Sequence, residues 1–239
     1  MAACQITKRS RRSKIMISII LPAYNEEKNI GFEIDSISDF LKQKKIAYEI
    51  IVVNDGSRDN TGKVLEKYKS RGEVVEVLHK KNLGYGAALR AGFGAAKGDL
   101  IFFTDADRQF DIKDIIPFLD KINYYDFVIG YRKNRKDPAN RILYASIFRF
   151  AAAIFFGVNV KDVDCAFKLY KKHVLSDLNL ISNGALINLE ILAKAKKKNY
   201  KYLELPVLHF KRTEGKPTGG SLKVILKAIL QFFYLWKTV

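Results

Sequence analysis

Between Met16 and Tyr131 the chain keeps changing its hydrophobic period. "MISIILP" (16–22) is a β-branched run that ends at a proline, and "EKNIGFEIDSISDFLKQ" (27–43) then spaces Ile30, Ile34, Ile37 and Leu41 as a helix does. "YEIIVVND" (48–55) reads as a second strand. "DNTGKVLEKYKS" (59–70) reads as a helix with Asp59 or Asn60 at its N-cap. "EVVEVLH" (73–79), "DLIFFTD" (99–105) and "YDFVIGY" (125–131) continue the strands, with a small-residue helix, "GYGAALRAGFGAA" (84–96), among them. Strands joined by helix-length connections pair in parallel, so the expected fold is α/β: a doubly wound, mostly parallel sheet with helices on both faces.

The second half is less regular. "ANRILYASIFRFAAAIFFGV" (139–158) is long and apolar, "VDCAFKLY" (163–170) is a strand candidate, and "GALINLEILAKAKKK" (184–198) is helical. "YKYLELPVLHFKR" (200–212) reads as extended around Pro206, "RTEGKPTGGS" (212–221) as a loop, and "SLKVILKAILQFFYLWKTV" (221–239) as a last helix. With 239 residues, 48% of them apolar, the chain suits one large domain, or one domain with a small appendage. The basic start, residues 1–14, is expected to be a disordered arm. Cys4 and Cys165 stand too far apart for a metal motif or a disulfide framework.

Open α/β sheets bind ligands at the carboxyl ends of their strands. Three such ends carry polar groups here. In "PAYNEE" (22–27), Pro22 stops the strand, Tyr24 offers a ring for stacking, and Glu26 can bond a ribose or base edge; an ordinary turn would look the same. In "NDGSRDNT" (54–61), Asp55 follows the strand directly and Gly56 allows a tight turn, a pattern shared with a plain helix cap. In "TDADRQF" (104–110), Asp105 and Asp107 form a carboxylate pair on a rigid strand end. Such a pair suits a hard divalent cation, Mg²⁺ or Mn²⁺, with Gln109 able to add an amide oxygen. The glycines of "NLGYGAALRAGFGAA" fit neither a P-loop nor a dinucleotide fingerprint. They are expected to allow close packing, with one helix N-terminus near a ligand. His79, His173 and His209 read as structural, His209 lying nearest the candidate site.

A net charge of +17 implies an anionic partner, whether a phosphorylated ligand, an acidic membrane surface or nucleic acid. The basic residues are scattered and no nucleic-acid recognition motif occurs, so nucleic acid is not the expected partner.

Taken in order, "PAYNE", "NDGS", "NLGYGAALRAGF", "TDADRQF" and "DVDCAFKLY" resemble the family-2 glycosyltransferases of GT-A fold. Within that family the set is similar to the dolichyl-phosphate mannose synthase and polyprenyl-phosphate glycosyltransferase branch, from about Met16 to Ser221. The resemblance implies that Pro22, Tyr24, Glu26 and Asp55 hold the nucleoside, that Asp105 sits by the ribose and diphosphate, and that Asp107 and Gln109, with Asp105, hold the metal. It implies that Arg132 and Arg141 face the acceptor phosphate. It also implies that Arg212 and Lys216 belong to a flexible basic loop that closes near the diphosphate. The family's serine after the second arginine is represented here by Ala145 followed by Ser146. "NDGS" stands for the commoner "DDGS", leaving Asp55 the only acid of that turn. The implied organisation is a catalytic domain over 15–220 and an amphipathic docking helix over 221–239.

The implied donor is a nucleotide sugar, GDP-mannose before a UDP-sugar, and the implied acceptor a polyprenyl or dolichyl phosphate. A hydroxyl acceptor needs a general base, and the superfamily's late "ED" pair and "QxxRW" string are both absent. The nearest acid on a comparable helix is Glu190. A lipid phosphate is already an anion and needs cationic positioning instead. A family-2 transferase acting on a glycan hydroxyl is the alternative. No apolar stretch reaches the roughly 20 residues of a spanning helix. Lys223, Lys227 and Gln231 make one polar stripe on 221–239, and helix 139–156 offers a second apolar surface. The expectation is a peripheral enzyme on the cytoplasmic membrane face, with a separate membrane subunit as a further partner.

Overall fold

The computed structural model describes residues 15–133, 139–214 and 222–239, with the backbone alone for 139–141 and 222–229. The basic arm and Lys216 lie outside the described residues, as do the side chains of Arg141, Lys223 and Lys227. Among the described residues seven strands form one sheet: β1 (Met16–Ala23), β2 (Ala47–Asn54), β3 (Val75–Leu78), β4 (Leu100–Thr104), β5 (Phe127–Lys133), β6 (Phe167–Lys171) and β7 (Tyr202–Leu208). The spatial order is β3-β2-β1-β4-β6-β5-β7. Every pairing is parallel except the two made by β6, which runs against both β4 and β5. The expected mostly parallel sheet is therefore present. Reversed β6 separates a four-stranded half from the β5–β7 pair.

Among the described residues eight α-helices connect and cover the strands: α1 (Ile30–Gln43), α2 (Thr61–Ser70), α3 (Tyr85–Ala95), α4 (Ile115–Lys121), α5 (Ala139–Phe156), α6 (Lys172–Asp177), α7 (Ile187–Lys197) and α8 (Leu222–Thr238). One face of the sheet packs Ile17, Ile19, Val52 and Phe102 against Ile34, Ile37 and Leu41 of α1, Leu65 of α2 and Phe118 of α4. The other packs Ile20, Val53 and Phe103 against α3, α6 and α7, and extends to Phe232 and Leu235 of α8. Central strands buried on both faces explain the continuous apolar runs of β1, β2 and β4. At the start of α2, Asn60 occupies the cap position but Asp59 supplies the bond, its Oδ1 accepting from Thr61 N at 2.9 Å.

The register brings the chemistry together. β1 pairs with β2 up to Ala23↔Asn54 and with β4 up to Ile20↔Phe103. The loops carrying Glu26, Asp55 and Asp105 thus leave the same sheet edge from adjacent strands. β5 and β7 run the same way, so Arg132 and Arg212 also reach that edge.

Candidate active site

The first two strand-end loops are knitted together. Asp55 N donates to Ala23 O, Glu26 N to Thr61 Oγ1, and Asn60 N to Glu27 Oε2, at 2.8–2.9 Å. Gly56 takes φ +68, and a Cβ there would collide with the Lys81 backbone, so the turn requires glycine. Asp55 is buried and accepts three hydrogen bonds, from Leu83 N (2.9 Å), Gly84 N (2.9 Å) and His79 Nδ1 (2.7 Å). Its first task is to fix the 79–84 segment beside the site, and His79 is its partner in that task.

The Asp-Ala-Asp turn follows β4. Asp105 is partly buried and Asp107 almost fully so. Burial pushes the Asp105 carboxyl up to about 7, with Asp107 adding repulsion and Tyr85 and Arg132 opposing. Burial also raises the Asp107 pKa, against the Arg212 charge, with Glu26 acting in the same direction as burial. Two carboxylates in a dry site behave this way when no cation lies between them.

Arg212 answers part of that charge. It follows β7 and spans the site, Nη1 to Asp107 Oδ2 at 3.2 Å and Nη2 to Glu26 Oε1 at 2.6 Å. Its Nε donates to Glu214 O, and Lys28 pairs with Glu214 at 3.1 Å. The segment after β7 is thereby drawn across the "PAYNEE" loop. Gln109 ties the same region: its backbone N donates to Asp107 Oδ1 and its amide Nε2 to Phe210 O. His209 is buried, its ring 5.5 Å from Phe110.

Three buried polar atoms without partners flank these groups: Asn29 Oδ1, Thr104 Oγ1 and Tyr85 Oη. Burial and then the nearby Asp105 charge hold the Tyr85 phenol well above its usual pKa, although the two do not meet the geometry of a hydrogen bond. Buried polar groups are normally paired, so these atoms mark unmet binding capacity. Among the described residues no group of three His, Cys, Asp or Glu side chains is arranged to hold a metal ion. The oxygen donors Asp105 and Asp107 still fit Mg²⁺ or Mn²⁺, which take few protein carboxylates and complete their shell with water and substrate phosphate.

Glu33 was not visible as a site residue in the strand-end reading. It lies on α1, is 6% exposed, and burial pushes its carboxyl up to about 8, with Asp107 and Asp105 adding to the shift and Arg108 opposing it. The signal was present: Glu33 follows Ile30 by three and precedes Ile37 by four, which puts an acid on the buried helix face.

Across the reversed strand the character changes. Arg132 forms a two-pronged pair with Asp162, Nε–Oδ2 2.7 Å and Nη2–Oδ1 2.9 Å, both side chains largely buried. They line a cavity of about 180 Å³ under α5, together with Tyr131, Arg149, Lys161 and Ser146. Arg149 donates to Lys161 O, and the Lys161 ammonium sits 4.3 Å from the Tyr131 ring centre. Arg149 and Lys161 are additions to the cationic set that motif reading missed, because neither lies in a motif. Ala145 and Ser146 both line the cavity, and the Ser146 hydroxyl donates to Ile142 O within the helix. Fully buried Lys168 lies behind the lining residue Val163, donating to Val163 O and Asn188 Oδ1, and burial lowers its pKa to about 8.

Several amides around the α3 N-terminus are engaged within the chain: Gly86 N and Ala87 N donate to Asn183 O, and Leu83 N and Gly84 N, just before the helix, donate to Asp55. Glu190 is fully buried and bonded to Ile181 N, Ser182 N and Lys194 Nζ.

Residues 18–178 match the family model described as glycosyl transferase family 2. The chain belongs to that family. It is 30% identical over 212 residues to an undecaprenyl-phosphate 4-deoxy-4-formamido-L-arabinose transferase of Pseudomonas fluorescens, covering 87% of this chain and 61% of that protein. It is also 30% identical over 246 residues to a dolichyl-phosphate beta-glucosyltransferase of Trichomonas vaginalis, covering 93% and 75%. The chain thus spans less than two thirds of the length of the bacterial relative. In fold it is similar to glucosyl-3-phosphoglycerate synthase from Mycobacterium tuberculosis, crystallised with Mn²⁺, uridine diphosphate and phosphoglyceric acid. That likeness has a TM-score of 0.73 at 18% identity and covers 93% of this chain and 78% of the other. The expected GT-A architecture is therefore present in this family-2 chain.

Proposed function

We propose that this family-2 glycosyltransferase moves a sugar from a nucleoside diphosphate to a polyprenyl or dolichyl phosphate, with inversion at the anomeric carbon. The observation that carries the reading is the pairing of an acidic strand-end site with a separate cationic cavity beneath an apolar helix. Glu26, Asp55 and Asp105, beside Tyr24 and Pro22, form the nucleoside and sugar side. Arg132, Arg149 and Lys161 form the acceptor side, joined by Arg141 on the strength of the family resemblance alone, which puts Lys216 with Arg212 in the loop near the diphosphate.

In this reading an acceptor phosphate oxygen attacks the anomeric carbon, the bond to the diphosphate breaks, and the nucleoside diphosphate leaves. The Arg132 and Arg149 guanidiniums orient the acceptor anion and offset its repulsion from the donor. Arg212 swings from the Glu26–Asp107 pair to the departing diphosphate. A divalent cation held by Asp105 and Asp107, with Gln109 as a further oxygen donor, would supply charge stabilisation for the leaving group. A hydroxyl acceptor would require a general base, and Glu190, the acid that could have served, is buried and fully engaged.

The sugar follows less directly. The resemblance favours mannose and GDP, while the curated relatives are named for glucose and a formamido-arabinose, so the donor panel must include both nucleotide types. The membrane side is supported by α5 and α8, which pack through Phe148, Phe155, Phe156 and Phe232. They expose Leu143, Tyr144, Ile147 and Phe150 on one helix and Leu230, Tyr234 and Trp236 on the other. Among the described residues no helix is long and apolar enough to cross a membrane. The reading is peripheral docking on the cytoplasmic face through these helices, with or without a separate membrane subunit.

The test is transfer of labelled sugar from GDP-mannose, UDP-glucose and related donors to undecaprenyl or dolichyl phosphate, with Mn²⁺ and with EDTA. Lipid-linked product that disappears in EDTA is the expected result. Transfer to a glycan hydroxyl but to no lipid phosphate would overturn the acceptor assignment.

A further inference from the structure

We propose that Glu190 is a positioning residue for the nucleotide site, acting through the segment 181–184; this rests on the nucleotide-sugar reading above. Glu190 Oε1 accepts from Ile181 N at 2.8 Å and Lys194 Nζ at 2.7 Å, and its Oε2 accepts from Ser182 N at 2.7 Å. Burial alone would raise its pKa, but these donors outweigh it and hold the carboxyl below the usual range. A charged carboxylate that already accepts three hydrogen bonds and has no exposed surface is not placed to take a substrate proton.

The bonds continue to the strand ends. The Asn183 carbonyl caps the first turn of α3, accepting from Gly86 N at 3.0 Å and Ala87 N at 3.2 Å. A Cβ on Gly86 would lie 2.5 Å from Ser182 O and 2.7 Å from Gly184 O, so α3 and the segment touch backbone to backbone. One residue before α3, Gly84 N holds Asp55, and the first residue of α3, Tyr85, stands beside Asp105. Glu190 therefore sets the place of residues 181–184, these set the start of α3, and the start of α3 fixes two acids of the nucleotide side. From outside, Gln231 of α8 lies against Gly184: a Cβ on that glycine would meet Gln231 Oε1 at 2.8 Å. The segment is clamped between the nucleotide site and the helix assigned to the membrane side.

The test uses the full chain and Glu190→Gln, which keeps the shape and places an amide against two N–H donors. UDP and GDP affinity is measured by calorimetry, donor and acceptor KM by kinetics, and amide exchange at Gly86 and Ala87 by NMR. Misplacement of about 1 Å in a site costs up to roughly a hundredfold; nucleotide affinity is expected to fall about ten- to a hundredfold on that scale. Donor KM should rise in parallel, and exchange at both amides should quicken. Acceptor KM and the pH profile of kcat should not change. Unaltered nucleotide affinity and exchange would overturn the proposal, as would a collapse of kcat with loss of one limb of the pH profile, the mark of a general base. Gly86→Ala gives a second route, pushing the segment off α3 with Glu190 intact. The same selective loss is expected, and normal nucleotide affinity in a folded Gly86→Ala protein would again overturn it. A wild-type protein that binds nucleotide but ignores polyprenyl phosphate defeats the acceptor assignment and leaves this positioning role standing. One that binds no nucleoside diphosphate defeats both.

Discussion

The two halves of the sheet edge handle charge in opposite ways. On the β2-β1-β4 side, acids from three loops and from α1 crowd together, short of cations, and burial raises the pKa values of Asp105, Asp107 and Glu33. On the β5-β7 side, the described basic residues Arg132, Arg149 and Lys161 face two acids, Asp162 and Asp164: Asp162 answers Arg132, while Arg149 and Lys161 also bond a carbonyl oxygen and an aromatic face. In the proposed reading the first half receives a cation with its diphosphate and the second receives an anion. Arg212 links the two, since it stands among the acids but arrives from β7. Two anionic substrates can meet only if each half neutralises one of them.

The largest expected effect breaks the acidic half alone. Asp107→Ala should lower turnover by about a thousandfold or more, the scale of losing a main electrostatic contact in the transition state. The thermal midpoint should hold or rise, because a buried like-charge contact is relieved. Turnover assays beside a melting curve check both, and strong residual activity would remove Asp107 from the site. Asp105 adds a pH signature. A cation needs its charged form, so Mn²⁺ affinity should climb as pH rises through about 7, which titration at several pH values measures.

Next comes the cationic half. Arg132→Ala leaves Asp162 without its fork, and breaking a buried pair costs about 3–5 kcal/mol. Catalytic efficiency with the lipid phosphate should fall about a hundredfold, in line with a lost positioning contact, while nucleotide affinity changes little. Equal losses for donor and acceptor would erase the division between the halves.

A smaller effect concerns the helices that roof the cationic half. Phe150→Ser with Trp236→Ser removes two exposed rings, each worth roughly 1.5–3 kcal/mol if fully buried. Binding to anionic vesicles should weaken by about tenfold or more on that scale, with soluble nucleotide binding intact. Flotation of wild type and variant side by side is the measurement; equal flotation would move the docking surface elsewhere.

The smallest effect sits behind the acidic loops. Glu33 has a folded pKa raised from 4.5 to about 8, so the folded state holds the proton more tightly than the unfolded chain. Stability from this group is full below about 4.5 and is lost as pH rises toward about 8. Glu33→Gln should therefore raise the thermal midpoint by a few degrees at pH 8 and change it little at pH 4.5. A shift of the same size at both pH values would mean that Glu33 is charged, or neutral, throughout.

Much of this was legible in the chain itself. A period that alternates between two and about 3.6 permits few folds, so the parallel sheet and the three acidic strand ends followed from local pattern. Asp55, Asp105 and Asp107 stood out because each directly follows, or nearly follows, a buried strand. The expected acceptor arginine, Arg132, reaches the same edge for that reason.

Other features depend on partners distant in sequence. Nothing in "AFKLY" reveals that β6 runs antiparallel and inserts between β4 and β5, since strand direction is set by which edges pair. Glu33 becomes a site residue only because the Asp105–Asp107 turn folds back over α1, and Arg149 and Lys161 only because α5 covers the loop before β6. Glu190 read only as the nearest acid on a comparable helix until the folded chain placed Ile181, Ser182 and Lys194 around its carboxylate. Local periodicity determined which residues lie at strand ends and which face a core. Tertiary packing decided which charges are paired, because that depends on burial and neighbours that the order of residues alone does not supply.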